Sequence, residues 1–569
     1  MRKIFFMYFA LVVGISPLIA QENCKVEDEI PLRLMSQELK RSINTFKKLR
    51  PSVYYLSYTY EDKQQTNLSV KQDGLDNEQN YYSRLEALAR AGSPKMDNTR
   101  PLKRESNYDR KFIFKFNYAS PLAEDATFFK LSLWRSAQNI AEAAQEEFAR
   151  VQTDSRAAAT RQDDSDDFVL PPVSHYCHTQ ETVRFDTDKI GQMLRKASEL
   201  TRGLSFIKDS RFGLSIEQGH RYFADSQGTQ LKTPFLFVRL DYHISNQLLD
   251  GTELSRSKTY DVVREDQLPS EEQLLADVKQ SIKELEMLTN SPEADPITVP
   301  TILKNRAMGV FVHEVLGHRL EGHRQKQDSF GKTFTSKIGQ TVTAPFVSVV
   351  DDATLTLFNG QPLRGFYEYD DEGVKARPVT LIENGVLRGF LMSSSPIEGF
   401  PVSNGHGRAS FGELPVARMG NTRLIASKTV SYSELEKQLL QEIRSQNKPY
   451  GYIIEDLSGG FTMTESSMPQ TFKLEPKLVY RMYPDGRKEV VHGADIVGTP
   501  LVSFGQIIAA ADDDAVFNGT CGAESGWIPV SAISPSVLLK SLEIEKTAKN
   551  DNKPPILPSP YSLPKGGKK

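Results

Sequence analysis

Several residue types that often announce a function are scarce in this chain. Cysteine occurs three times in 569 residues and histidine nine times. Three is odd, so the cysteines cannot all pair among themselves and one thiol is left over. There is no basic stripe of any length, the formal net charge is −3, and the pI is near 6.4. Together these remove the electrostatic case for a nucleic-acid partner. Past the N-terminus no apolar stretch is long enough to cross a bilayer. No internal repeat is visible, which argues against a repeat architecture.

What is present is the composition of a globular protein, 39% hydrophobic and 25% charged, with a mean hydropathy of −0.43. That suffices for sizeable cores, and the length implies two to four folding units. The N-terminus reads as a signal peptide. Arg2 and Lys3 precede the apolar run from Ile4 to Val13, and Pro17-Leu18-Ile19-Ala20 leads to the polar Gln21-Glu22. The run is short for a membrane span, so cleavage after Ala20 is expected. Gln21-Glu22-Asn23 is too polar to make Cys24 a lipid-bearing cysteine. The mature protein is therefore expected to be exported, to a periplasmic or extracellular space, with no membrane span.

The organisation expected is α+β: an N-terminal α/β domain, then a mostly antiparallel β C-terminal domain carrying a metal-binding helix. The units expected are a signal peptide (1–20), an N-terminal α+β domain (21–290) and a C-terminal domain (291–548), followed by a disordered Pro- and Lys-rich tail (549–569). Helical patterns cover 25–49, 131–151 and 431–446, and strand patterns cover 52–60 and 233–244. Ser270-Glu271-Glu272-Gln273 is a capping box that opens a helix. The stretch 153–167, biased to Asp, Ser, Ala and Arg, is expected to be a mobile insert. Asn290 to Pro300, with three prolines, is the expected domain boundary, and 301–330 the expected helical region after it. Asn384-Gly385 and Asp485-Gly486 mark hairpin turns.

The sharpest signal is His313-Glu314-Val315-Leu316-Gly317-His318. A His-Glu-x-x-His helix puts two imidazoles on one face for zinc, with the Glu as general base. Here the spacing is one residue longer, and on an ideal helix the two rings would stand about 140° apart. One ion can take both only if the helix is altered between them. Gly317 is where a π-bulge or a helix end is expected. The apolar neighbours Phe311, Val312, Val315 and Leu316 point to burial, and a buried Glu314 needs a partner, which a metal with its water would supply.

A catalytic zinc site usually takes three protein ligands and keeps one position open. Glu321, His323 and Cys521 are the candidates for the third. Cys521 lies among small residues, Asn518-Gly519-Thr520-Cys521-Gly522-Ala523, although an isolated cysteine is more often a small buried hydrophobe. If Cys521 holds the metal, Cys24 and Cys177 remain as a candidate disulfide. A rival cluster, His175-Tyr176-Cys177-His178, has its ligands too close together to form a cage alone.

His313 to Glu321, with its Gly-His-Arg-Leu-Glu run, resembles the TldD/PmbA (TldD/TldE) family of metallopeptidases. So do Asp370-Asp371-Glu372-Gly373, Leu381 to Leu387, Asn404-Gly405-His406-Gly407-Arg408-Ala409, Met419-Gly420-Asn421-Thr422 and Gly519-Thr520-Cys521-Gly522. The likeness is dense after residue 300 and sparse before it. It implies that one zinc ion is held by His313, His318 and Cys521, with Glu314 as the general base. It also implies a peptide or unfolded-protein substrate and a homo- or hetero-oligomer with a TldD/TldE-like subunit. His406 and Arg408 are candidate donors to the transition state, and Glu321 is a candidate orienter of His318. The competing expectation is a non-catalytic peptide-binding subunit whose structural zinc is closed by His323 or Glu321 as a fourth ligand.

Overall fold

The computed structural model describes residues 24–71, 74–100, 113–118, 125–157, 163–326 and 330–548. The expected signal peptide and the expected disordered tail lie outside the described residues. The fold is mixed α+β.

The N-terminal half is built on four long antiparallel strands, ordered Gly74–Ser93, Val53–Lys71, Asp209–Asp225, Gln230–Gln247. The side-chain period of two puts Leu56, Tyr58, Tyr60, Leu68 and Val70 on one face. Helices cover the two ends of that face. Ile30–Phe46 and Ala126–Ala157 bury Leu32, Met35, Phe129 and Leu133 against Tyr58 and Tyr60. Thr187–Glu199 and Glu271–Thr289 bury Leu194, Val278 and Leu285 against Leu68, Phe212 and Leu240. Ser270 caps the last of these helices by accepting from the Gln273 amide at 3.2 Å. A disulfide joins Cys24 to Cys177, with Cα atoms 5.5 Å apart, and so fastens the first described residue to the sheet.

Two expectations need correction. The stretch 153–167 is not loose where it is described: the helix continues to Ala157, and Asp163 and Asp167 are buried. Asp167 accepts from the Asp97 amide at 3.0 Å and from Arg100 Nε at 2.8 Å, and Asp163 accepts from the Glu398 amide at 3.1 Å. Composition cannot show partners 60 or more residues away. Residues 297–303, read as linker and helix, form a strand, Ile297–Leu303, inside the C-terminal core. Pro300 has no N–H to give, and the pairing with Val537–Lys546 slips around it, between Leu539 and Leu542.

That strand belongs to a sheet that closes on itself: Gly451–Thr462, Ile297–Leu303, Val537–Lys546, Ala494–Gly498 and Phe472–Met482, whose last strand pairs back to the first. A second, six-stranded sheet ends in the hairpin Ala515–Ala523/Gly526–Ser534. The helix Asn305–Val315 lies between the two sheets, buried from Ala307 onward, with Phe311 meeting Phe472 edge-on at 5.7 Å. Gly309 lets the helix close on the hairpin, since a Cβ there would stand 3.2 Å from the Ala532 carbonyl oxygen.

Candidate metal centre

The enclosed helix carries His313 and Glu314 in its last turn and stops at Val315. Gly317–Leu320 then forms a single 3₁₀ turn. Of the two alterations expected at Gly317, the helix end is the one observed. Crowding rather than a special φ favours the glycine, because a Cβ at 317 would come to 2.0 Å from Met419 Sδ and that buried side chain would have to move. The tighter turn swings His318 round to His313, and the ring centroids come to 5.0 Å with planes 80° apart.

Cys521 reaches the same point from the edge strand of the six-stranded sheet. Its sulfur lies 3.1 Å from His313 Nε2 and 3.3 Å from His318 Nε2. All three side chains are buried. The small residues around Cys521 do not make a flexible loop; Cys521 pairs across the hairpin with Ile528, and Trp527 folds over Gly522. One sulfur and one nitrogen on a zinc tetrahedron are about 3.6 Å apart, from bond lengths of about 2.3 and 2.0–2.1 Å. The observed separations are a few tenths shorter, so one sulfur and two imidazole nitrogens fit a single ion after a small outward movement.

Glu314 is also buried, and its Oε2 lies 3.9 Å from His318 Nε2. Burial pushes its carboxyl above the ordinary value, while the neighbouring imidazoles pull the other way. Burial also pushes the Cys521 thiol up, but the His318 and His313 charges outweigh it and hold the thiol well below its usual range. For His318 burial lowers the pKa, and the Cys521 and Glu321 charges override it and raise it well above the ordinary value. Without metal, the three groups thus favour a thiolate beside imidazolium.

Glu321, the candidate orienter of His318, accepts at His318 Nδ1 across 3.3 Å and is fully enclosed. That contact leaves Nε2 of a neutral ring free to ligate. The sequence did not single out the cations around Glu321. Arg324 Nε donates to it at 2.9 Å, and Arg418 Nε stands 3.3 Å away. Arg324 also pairs with both oxygens of Glu524. No spacing rule marks Arg324 and Glu524, 200 residues apart, or Arg418, beside a motif already noted.

The contacts of His406 and Arg408 run to the loop and strands around them. His406 is fully buried, with Nε2 at 3.2 Å from Asp351 and Nδ1 at 3.1 Å from Asn404 Oδ1. Arg408 donates to the carbonyl oxygens of Met419 and Pro529 and stacks over Tyr367 at 4.7 Å. Both side chains thus help to hold the loop that carries them. His323, proposed as a fourth ligand, faces Glu524 at 3.6 Å and packs edge-on against Phe330. In the rival cluster, Cys177 is in the disulfide, His178 meets Glu368 at 3.2 Å, and His175 bonds the Gly228 carbonyl oxygen.

Residues 296–546 match the family model of the PmbA/TldA metallopeptidase C-terminal domain. That match supports the TldD/PmbA metallopeptidase family. The chain is 26% identical to the metalloprotease TldD homolog of Haemophilus influenzae over 273 residues, 47% of this chain and 52% of the relative. It is 26% identical to the zinc metalloprotease TldD homolog of Saccharolobus solfataricus over 247 residues, 43% of this chain and 51% of the relative. The chain spans about half the length of the curated relatives it matches. Among solved structures, TldE from Thermococcus kodakarensis has a similar fold, with a TM-score of 0.59, 14% identity, and coverage of 89% of this chain and 99% of that one. The relatives' names carry peptidase activity at the level of the family, and one of them names zinc.

Proposed function

We propose that this chain is an exported, zinc-dependent peptidase that hydrolyses peptides or unfolded segments, with Glu314 as general base. The observation that carries the reading is the meeting of His313, His318 and Cys521 at one buried point beside Glu314. The donor set suits one zinc ion per chain: two imidazoles and a thiolate leave it a net charge of +1, the same as two imidazoles and a carboxylate. When bound, zinc supplies Lewis acidity that makes a water easier to deprotonate and a carbonyl easier to attack.

The chain's own groups do the rest. His318 is presented through Nε2 because Glu321 takes its other nitrogen. Glu314 accepts the proton of the attacking water as its oxygen bonds to the scissile carbonyl carbon. It then returns that proton to the amine nitrogen as the peptide C–N bond breaks. The raised pKa of Glu314 suits a base that must also act as an acid. Three converging donors, with His323 turned to Glu524, support an open site over a closed structural one.

Export is supported by the Cys24–Cys177 disulfide, a bond that persists in oxidising compartments. Among the described residues, no helix is long and apolar enough to cross a membrane. The fold likeness to TldE supports assembly with a TldD/TldE-like subunit. Incubation of the purified protein with an unstructured peptide mixture, with and without chelator, tests the reading. Cleavage that chelator stops and zinc restores is expected; cleavage indifferent to chelator would overturn it. Glu314→Gln should keep its zinc and lose hydrolysis, so a fully active, zinc-replete variant would remove Glu314 from the mechanism.

A further inference from the structure

Arg418 is the largest fully enclosed side chain among the described residues. Its guanidinium lies on the sulfur of the candidate ligand, with Nη2 3.1 Å from Cys521 Sγ and 2.8 Å from the Cys521 carbonyl oxygen. Nη1 donates to Ser525 Oγ at 2.9 Å and to the Gly526 carbonyl oxygen at 3.2 Å. On its other edge, Nε stands 3.3 Å from Glu321 Oε1, while Glu321 Oε2 takes His318 Nδ1. One cation therefore touches one candidate ligand directly and a second through a single carboxylate.

We propose that Arg418 is a positioning residue that sets how much negative charge the Cys521 sulfur gives to the metal, and that couples this to the orientation of His318 through Glu321. The inference rests on the reading that His313, His318 and Cys521 hold a metal ion. The coupling is electrostatic. A charged N–H donor aimed at a sulfur draws electron density away from it, and the effect is strong where no water competes. Less donation from sulfur leaves the bound ion a stronger Lewis acid. A fully buried guanidinium is costly unless anions meet it, and here the two anions it meets both belong to the metal site. A lysine could place one charge near the sulfur. The guanidinium fork spans the sulfur, the hairpin carbonyls and Glu321 at once.

Cobalt(II) titration of the full chain tests this without any hydrolysis assay, by the sulfur-to-cobalt charge-transfer band in the near ultraviolet. The wild type should show the band, and Arg418→Met should shift it to longer wavelength as the sulfur becomes a better donor. Cobalt affinity should fall by about 10- to 100-fold, the usual loss for a partner behind the ligands. Arg418→Lys, which keeps the charge, should stay near the wild-type wavelength, and Arg418→Gln should move with the methionine variant. If the methionine variant does not fold, the Lys and Gln pair decides. Bands of the Lys, Gln and Met variants that coincide with the wild type would overturn the proposal. A wild type that binds cobalt with no sulfur band would instead overturn the ligand assignment beneath it.

Discussion

Replacing Glu321 with glutamine isolates the charge behind the metal ligands while keeping the shape of the side chain. Glu321 is fully enclosed and faces His318, Arg324 and Arg418. Burial alone would raise its carboxyl, but His318 and then Arg324 pull it from 4.5 down to about 2. At about 1.36 kcal/mol per tenfold change, that lowering is worth about 3 kcal/mol in favour of the charged form. The figure agrees with the cost of about 3–5 kcal/mol for removing one partner of a buried ion pair. The sign follows from linkage: a depressed carboxyl stabilises the fold fully above its ordinary pKa, and the contribution is lost as pH falls through the folded value. Urea unfolding of the chelated protein is the assay. Trp527 on the hairpin and Trp134 in the N-terminal half are the two tryptophans and report the two regions. Glu321→Gln should lose about 3 kcal/mol at pH 7, and the gap from wild type should shrink between pH 4.5 and pH 2. A loss under 1 kcal/mol at pH 7, or a gap that does not change with pH, would refute the reasoning.

Further outcomes follow from the same geometry. Cys521→Ser should hold zinc far more weakly, and unchanged metal content by elemental analysis would move the third ligand elsewhere. Gly317→Ala should cost about 1–3 kcal/mol by forcing a methyl into Met419. In a double-mutant cycle, the Gly317→Ala change should cost clearly less in the Met419→Ala background than in the wild type, and an equal cost in both would refute the packing account. The thiolate–imidazolium arrangement without metal predicts that zinc uptake near pH 7 releases about one proton or more per chain. Calorimetry in buffers of different ionisation enthalpy reads this directly, and a binding heat indifferent to buffer would contradict it.

Much of the site was legible because its chemistry is local. His313, Glu314 and His318 lie within six positions, and the extra residue in their spacing demanded a break that the helix end after Val315 provides. Cys521 had no such local signal; it stood as one of three candidates for the third ligand, and the resemblance to a family singled it out. Arg418 carried no signal at all, since its role depends on a strand and a turn that meet only in the fold. The contacts of His406 and Arg408 with Asp351, Asn404 and Tyr367 were equally out of reach of the sequence, because those partners meet the Gly-rich loop only in the fold. At the level of fold, periodicity found parts of the strands Val53–Lys71 and Gln230–Gln247 and most of the helices, but not the strands Gly74–Ser93 and Asp209–Asp225 or the helix Thr187–Glu199. Asn384-Gly385 adopts the positive φ angles, 49° and 80°, that its hairpin needs. Proline density between 290 and 300 was read as a linker, because a strand that tolerates Pro300 does so through a bulge with a partner some 240 residues away.

X-ray absorption at the zinc edge of the zinc-loaded protein tests the central claim most directly. Two imidazole nitrogens at about 2.0–2.1 Å and one sulfur at about 2.3 Å are predicted, with the sulfur shell lost in Cys521→Ser. A zinc ion bound with no sulfur neighbour would contradict the account.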